Sequence, residues 1–374
     1  MSQGDFVRRI DSSHKAAPKL HLDIITLVLL VLLAAIGLTV LYSAAGDQLG
    51  YVKRQLVFLL VGFVIMVVVA QFPLRFWERW TILFYGGGIV LLVLVMLVGV
   101  GAKGAQRWLD LGVIRVQPSE LMKLAVPMMV GAFFHRRAVP PTFKETLIAL
   151  GLILIPGGLI LIQPDLGASM LICSSGLFAL LLAGLGKRYI LSGIALAVVT
   201  TPLAWAYLLR DYQRQRVRTL FNPESDALGT GWNIIQSQTA IGSGGLTGKG
   251  WGNGTQSQLN FLPESHTDFI IAVLAEELGF LGVLGLLTLY FLLLTRGLYI
   301  ATQGRDTFAR LLAGGLTLTF FTYLFVNVAM VSGLLPVVGV PLPLVSYGGT
   351  SALTLLAGFG VLMAVATQPK PLAA

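Results

Sequence analysis

Charge is what this chain has least of. Only 11% of its 374 residues are Asp, Glu, Lys or Arg, where a soluble domain carries roughly 25%. That shortage excludes a large-cored soluble globule. With one cysteine, Cys173, set in an apolar run, no disulfide framework and no cysteine metal site can be built. The four histidines, His14, His21, His135 and His266, are scattered and make no HExxH or similar ligand pair. No GxSxG elbow is present, which leaves a serine hydrolase without support. A net charge of +9 invites a nucleic-acid reading, but no basic, aromatic-interleaved domain stands outside the apolar runs. Basic loops that orient membrane helices account for it better.

Apolar residues are plentiful: 56% of the chain is hydrophobic and the mean hydropathy is +0.82. Runs of about 20 apolar residues, the length that crosses a bilayer, recur along the sequence. They predict an all-α polytopic membrane protein, a single integral-membrane domain over 1–374, with about ten transmembrane helices. The expected spans are 22–44, 55–71, 80–100, 117–134, 146–163, 168–185, 188–208, 268–295, 307–332 and 343–367. The first is too long for the apolar core of a cleaved signal peptide and reads as a membrane helix. With the N-terminal tail 1–21 inside, Arg8, Arg9, Lys15, Lys19, Arg75, Arg79, Arg136, Arg137 and Lys144 all fall on the cytoplasmic side. Short outer loops hold only Lys53, Arg54, Lys103, Arg107 and Arg115. This bias places both termini in the cytoplasm and the long loop 209–267, between the seventh and eighth helices, outside.

That loop exceeds an ordinary connector, and its Tyr212, Phe221, Trp232, Ile234, Ile235, Trp251 and Phe261 predict an ordered, surface-packed segment. It ends in Phe261-Leu-Pro-Glu-Ser-His-Thr-Asp268, which sets Asp268 where a polar loop enters an apolar helix. A carboxylate is costly to desolvate there, so the position points to chemistry or a partner. Gly242-Ser-Gly-Gly-Leu-Thr-Gly-Lys249-Gly-Trp251 is glycine-rich but fails as a phosphate-binding P-loop: Gly250 follows Lys249 where Ser or Thr should hold magnesium. A turn presenting N–H groups and Lys249 to an anion, or a flexible loop, both remain. Arg210, Arg214, Arg216 and Arg218 cluster after the seventh span, where 210, 214 and 218 share a face if helical. Guanidinium forks suit a diphosphate or lipid phosphates, and general attraction to anionic headgroups serves equally.

Within the fourth span, Glu120 and Lys123 sit three residues apart on one helix face, able to neutralise each other in low dielectric. An intramembrane pair of this kind is expected to line a cavity. Asp165, in the tight turn Gln163-Pro-Asp-Leu-Gly167, reads as a turn-former or helix N-cap. Arg107 and Trp108 read as a snorkelling base and an interfacial aromatic anchor. Glu276 and Glu277 lie about two turns below Asp268 and either can bond to a neighbouring helix.

Taken together, these segments resemble the SEDS family (shape, elongation, division and sporulation), and within it the RodA-type, elongation branch. The likeness is carried by Gly104-Ala-Gln-Arg-Trp108, Gln117-Pro-Ser-Glu120, Gln163-Pro-Asp-Leu-Gly167, Asp211-Tyr-Gln-Arg-Gln-Arg-Val217, Asn222-Pro-Glu-Ser-Asp226, Ile241-Gly-Ser-Gly-Gly245, Gly248-Lys-Gly-Trp251, the run from Phe261 to Glu277, and the run from Leu335 to Ser351. Pro336-Val-Val-Gly-Val-Pro-Leu-Pro343 is similar to the elongation type rather than to the division paralogue. The resemblance implies a ten-helix peptidoglycan glycosyltransferase of the bacterial inner membrane that polymerises lipid II and releases undecaprenyl diphosphate. It implies Asp268 as the essential acid, acting as general base or as the holder of a metal, a divalent metal requirement (Mg²⁺ or Mn²⁺), and a class B penicillin-binding protein as partner. Arg107, Trp108, Glu120, Lys123, Asp165, Arg214, Arg216 and Lys249 are then the candidate substrate-binding residues. A lipid II flippase, motivated by the intramembrane charges, and a non-catalytic scaffold for the transpeptidase are the competing readings.

Overall fold

The computed structural model describes residues 20–46, 48–102, 105–110, 112, 115–209, 211–226, 229–259, 261–262 and 264–367. Most of the expected cytoplasmic tail, together with Lys103, Arg210 and Lys370, lies outside them. Each expected span coincides with a helix: α1 (Ile24–Ala44), α2 (Leu49–Gln71), α3 (Leu74–Val98), α4 (Pro118–His135), α5 (Phe143–Ile162), α6 (Leu166–Leu182), α7 (Lys187–Leu203, continued by a π-turn Ala204–Leu208), and, after the long segment, α11 (Ile270–Thr302), α12 (Thr307–Val331) and α13 (Gly349–Thr367). Among the described residues, 8 helices are long and apolar enough to cross a membrane; α6 is apolar but shorter.

Local sequence fixes the helix starts. Asp23 caps α1 by accepting from the Thr26 N–H at 3.1 Å and, as an ion pair with Arg296 at 2.5 Å, ties α1 to α11. Thr142 and Glu145 form a reciprocal capping box on α5. Asp165 caps α6 through the Ala168 N–H at 3.1 Å, and Pro118 opens α4. Two boundaries differ from expectation. Helix α2 begins at Leu49, so Lys53 and Arg54 lie within its first turns instead of in a loop. Helix α13 begins only at Gly349, because Pro341 and Pro343 hold the preceding stretch out of a helix.

Helix α12 is the centre of the bundle, packed on α4, α6 and α11, with Phe308, Leu312 and Met330 fully enclosed. The outer helices turn Leu, Val and Ile outward, as Leu56, Val57, Leu60 and Val64 do on α2. Helix α7 has no buried residue at all.

The described residues of the segment 209–267 fold into short helices. They form α8 (Asp211–Phe221), a 3₁₀ turn Pro223–Asp226, α9 (Thr230–Gly244) and a short α10 (Thr255–Gln258), with α9 packed on α11. Between α3 and α4 the chain forms a small antiparallel sheet of β1 (Val100–Ala102), β2 (Ala105–Asp110) and β3 (Arg115–Val116), in the order β1-β2-β3.

The glycine-rich turn after α9 has a structural task. Helix α11 is interrupted at Gly279 (φ 65°), and the turn plugs the break. Lys249 N and Gly250 N donate to the Glu276 and Glu277 carbonyls at 3.0 and 2.9 Å, while Phe280 N and Leu281 N donate back to Gly245 and Leu246 at 2.9 and 3.1 Å. A Cβ on Gly248 would stand 2.1 Å from the Glu277 carbonyl oxygen. These N–H groups are spent on helix carbonyls, so the turn does not present them to an anion.

Candidate active site

Three elements bring the expected polar residues to one place. Strand β2 carries Arg107 and Trp108, the first turns of α4 carry Glu120 and Lys123, and the start of α6 carries Asp165. All five line one cavity of about 790 Å³. The irregular stretch before α13 supplies the opposite wall, including Gly339 and Tyr347, and α12 supplies Tyr323.

Inside the cavity Lys123 Nζ donates to Glu120 Oε1 at 2.6 Å and also to the Tyr323 hydroxyl. Both members of the pair are buried. Glu120 Oε2 is itself enclosed and has no hydrogen-bond partner among the described residues, an unsatisfied acceptor on a side chain that lines the cavity. Arg107 donates through Nη2 to the Pro164 carbonyl at 2.8 Å, and its Nε lies 3.4 Å from Asp165 Oδ2. These contacts hold the guanidinium at the mouth, where its side chain stays about one-third exposed (37%).

Asp268 sits two residues before α11, half-buried, beside Gly339 of the cavity wall: a Cβ at Gly339 would be 3.5 Å from Asp268 Oδ2. Its backbone is clamped. The fully buried Asn327 of α12 donates through Nδ2 to the Asp268 carbonyl at 2.9 Å and to the Val340 carbonyl at 2.7 Å. Ser346 Oγ donates to the Thr267 carbonyl at 2.5 Å, and Tyr347 N donates to the His266 carbonyl at 2.9 Å. Three consecutive carbonyls, at 266, 267 and 268, are thus tied to the wall of the cavity. The His266 ring packs on Tyr51 (centroids 4.5 Å apart), which in turn meets Tyr347 edge-on (5.0 Å). Burial there pushes its pKa below the usual imidazole value, opposed by the nearby Glu264 carboxylate.

The remaining candidates divide. Arg216 donates through Nη1 to the Val337 carbonyl at 2.9 Å and borders, with Arg107 and Asp165, a small side cavity of about 40 Å³. Arg214 lies elsewhere, bonded to the Ala206 carbonyl at 2.9 Å and paired with Asp211 at 3.6 Å. Helical spacing in α8 separates residues 214 and 216 by about 200°, which is why Arg216 reaches the cavity wall and Arg214 does not. Lys249 is also apart: its Nζ holds the buried carboxylate of Glu276 at 2.7 Å and Thr255 Oγ1 at 2.8 Å. Glu277 is bonded by Ser43 Oγ at 2.5 Å.

Among the described residues no three His, Cys, Asp or Glu side chains cluster to hold a metal ion. The donor set therefore fits a hard cation only as a single carboxylate, with the other oxygens coming from substrate and water, a mode magnesium accepts. Tyr323, Asn327, Ser346 and Gly339 carried no role in the sequence reading. The one available signal was Asn327, an amide in an otherwise apolar span, which is costly in a membrane without partners.

A buried ion pair, an arginine mouth and a clamped acid at the end of a bundle of apolar helices define a multi-pass membrane protein with a polar site for a charged headgroup. The chain belongs to the FtsW, RodA and SpoVE family of cell cycle proteins, whose model matches residues 20–370. It is 55% identical over 354 residues to the peptidoglycan glycosyltransferase MrdB of Escherichia coli K12, covering 95% of this chain and 96% of that one. It is 37% identical over 364 residues to the probable peptidoglycan glycosyltransferase FtsW of Trichlorobacter lovleyi, covering 93% of this chain and 94% of that one. A solved structure described as structural coordination of polymerization and crosslinking by a peptidoglycan synthase complex superposes with a TM-score of 0.81 at 32% identity, covering 92% and 97% of the two chains. The rod shape determining protein RodA of Thermus thermophilus superposes with a TM-score of 0.70 at 30% identity, covering 92% and 96%.

Proposed function

We propose that this chain is a peptidoglycan glycosyltransferase that polymerises lipid II, with Asp268 as its essential acid. The observation that carries the reading is the convergence of Arg107, Glu120, Lys123 and Asp165 on one cavity whose wall abuts Asp268. In the transfer, a sugar hydroxyl of the acceptor gives its proton to the Asp268 carboxylate as its oxygen bonds to the donor's anomeric carbon. The bond from that carbon to the diphosphate breaks, and undecaprenyl diphosphate leaves with the electron pair. A positioned base is typically worth about 10²–10⁴-fold. One base and no covalent intermediate give inversion at the anomeric carbon, as in inverting glycosidases. Arg107, with Arg216 beside it, is placed to meet the negative charge that grows on the leaving diphosphate. The Glu120–Lys123 pair, which lines the same cavity, supplies polar groups for the sugar headgroup. In the alternative role, Asp268 would hold a magnesium or manganese ion instead of taking the proton, and that ion would supply charge neutralisation to the diphosphate.

The reaction belongs at the outer face of the bacterial inner membrane, with both termini in the cytoplasm. The end of the bundle away from Asp268 carries Arg75, Arg79, Arg136 and Arg137, the sign of a cytoplasmic surface. A polymerase needs its strands crosslinked, and a class B penicillin-binding protein is the partner this function calls for.

The test is polymerisation of purified lipid II by the protein with its transpeptidase partner, wild type against Asp268→Ala. Long glycan strands from wild type alone are expected. Strands from a folded Asp268→Ala variant at the wild-type rate would remove Asp268 from the chemistry. No strands from either protein, with divalent metal added, would favour the flippase or scaffold readings.

A further inference from the structure

A second cavity, about 920 Å³ and larger than the one beside Asp268, opens at the opposite end of the bundle. Helices α3 and α4 run antiparallel, since Gly88 packs on Met122 while Glu78 pairs with His135 at 3.5 Å. The start of α3 and the end of α4 therefore share one end, and the active-site cavity lies at the other. The 18 residues of α4 span about 27 Å at 1.5 Å per residue, close to the ~30 Å hydrocarbon core of a bilayer. This second cavity is thus at the far membrane surface.

Its rim is arginine and its floor is apolar. Arg75, Arg79, Arg136 and Arg137 face one lining carboxylate, Glu78, which is already paired with His135. Arg137 is engaged as well, its guanidinium 3.8 Å over the Phe133 ring and its Nε 3.9 Å from Glu145. The side chains of Arg75, Arg79 and Arg136 have no protein partner among the described residues. Beneath them lie Ile82, Met129 and Phe133. A neighbouring cavity of about 360 Å³ shares Arg75 and adds Arg305. Arginines that only anchor helices sit on a smooth surface; these converge on a cleft between two helices, over a floor that fits acyl chain.

We propose that this cleft is a binding site for an anionic glycerophospholipid, its phosphate among Arg75, Arg79 and Arg136 and its chains against the α3–α4 floor. Guanidinium forks match phosphate oxygens bidentately, and basic clefts between helices at a membrane surface take up anionic headgroups. The site is separate from the glycosyl-transfer cavity and does not depend on Asp268.

Native mass spectrometry tests it on the full-length protein released from nanodiscs of phosphatidylcholine mixed with phosphatidylglycerol. Wild type is expected to retain phosphatidylglycerol preferentially. Arg75→Gln/Arg79→Gln/Arg136→Gln is expected to weaken that retention by about a hundredfold, and Arg79→Gln alone by about fivefold. Equal retention by wild type and variants overturns the proposal. Displacement of the lipid by millimolar inorganic phosphate overturns the lipid assignment and leaves a site for free phosphate. Unfolding in phosphatidylcholine checks that the variants fold; if the triple variant fails to fold, the exposed single substitution carries the comparison.

Discussion

At the scale of single residues, the Glu120–Lys123 pair shows how a buried charge is made tolerable and left usable. One carboxylate oxygen is committed to Lys123, whose ammonium also meets Tyr323, while the other is enclosed without a partner on a side chain that lines the cavity. Removing one partner strands the other charge in low dielectric, which costs about 3–5 kcal/mol. Replacing both with uncharged groups of similar shape costs far less. Glu120→Gln and Lys123→Met are therefore each expected to destabilise strongly, and the double variant to recover most of the loss while staying inactive. Thermal unfolding of the three variants in one lipid, with lipid II polymerisation alongside, checks this. A double variant as unstable as the singles would mean that Tyr323 or a ligand, not the pair, carries the energy.

At the scale of elements, the site depends on a junction between three stretches of chain. Asn327 bonds the carbonyls of Asp268 and Val340, joining the start of α11 to the stretch before α13 through the C-terminal turns of α12. Asn327→Ala leaves two carbonyls unpaired in a buried place, at about 1–3 kcal/mol each. It also frees the Asp268 backbone from the Gly339 wall. The expected outcome is a folded protein with a lower unfolding temperature and a kcat reduced about a hundredfold, the loss typical when a catalytic group is misplaced by an ångström. KM for lipid II should change little, because Asn327 does not line the cavity. An unchanged kcat, or a loss confined to KM, would show that the clamp does not position Asp268.

This junction also marks where the sequence could not be read. The place of Asp268 was legible, because a carboxylate entering an apolar helix stands out against its neighbours. So was the helical position of each span, because a bilayer sets a fixed length. The Pro- and Gly-rich run from 335 to 348 was legible as a motif but not as a wall, since its hydrogen bonds go to residues far away in the chain. The task of the glycine-rich turn at 244–250 was hidden for a related reason. Its N–H groups look ready for an anion until the break at Gly279 supplies carbonyls to accept them.

At the scale of the whole molecule, packing grades from a rigid centre to a loosely attached periphery. In lipid, association of helices gains little from the hydrophobic effect and rests on close packing and polar contacts. Helix α12 has both: Leu312 is fully enclosed, and small residues at Gly314 and Gly315 let Leu182 and Pro127 approach. Helix α7 has neither, since none of its side chains is buried. Leu312→Ala opens a cavity and is expected to cost about 2–5 kcal/mol. Leu196→Ala on α7 trades one lipid contact for another and should fall within about 0.5 kcal/mol. Thermal unfolding of both variants in the same lipid makes the comparison. The two losses should differ because α12 packs on α4, α6 and α11 with most of its side chains buried, whereas α7 is joined to the bundle mainly through the chain at its two ends. An equal loss at Leu196 would require a packed surface for α7 that this single chain does not provide, and would place that helix against a second protein or a specifically bound lipid.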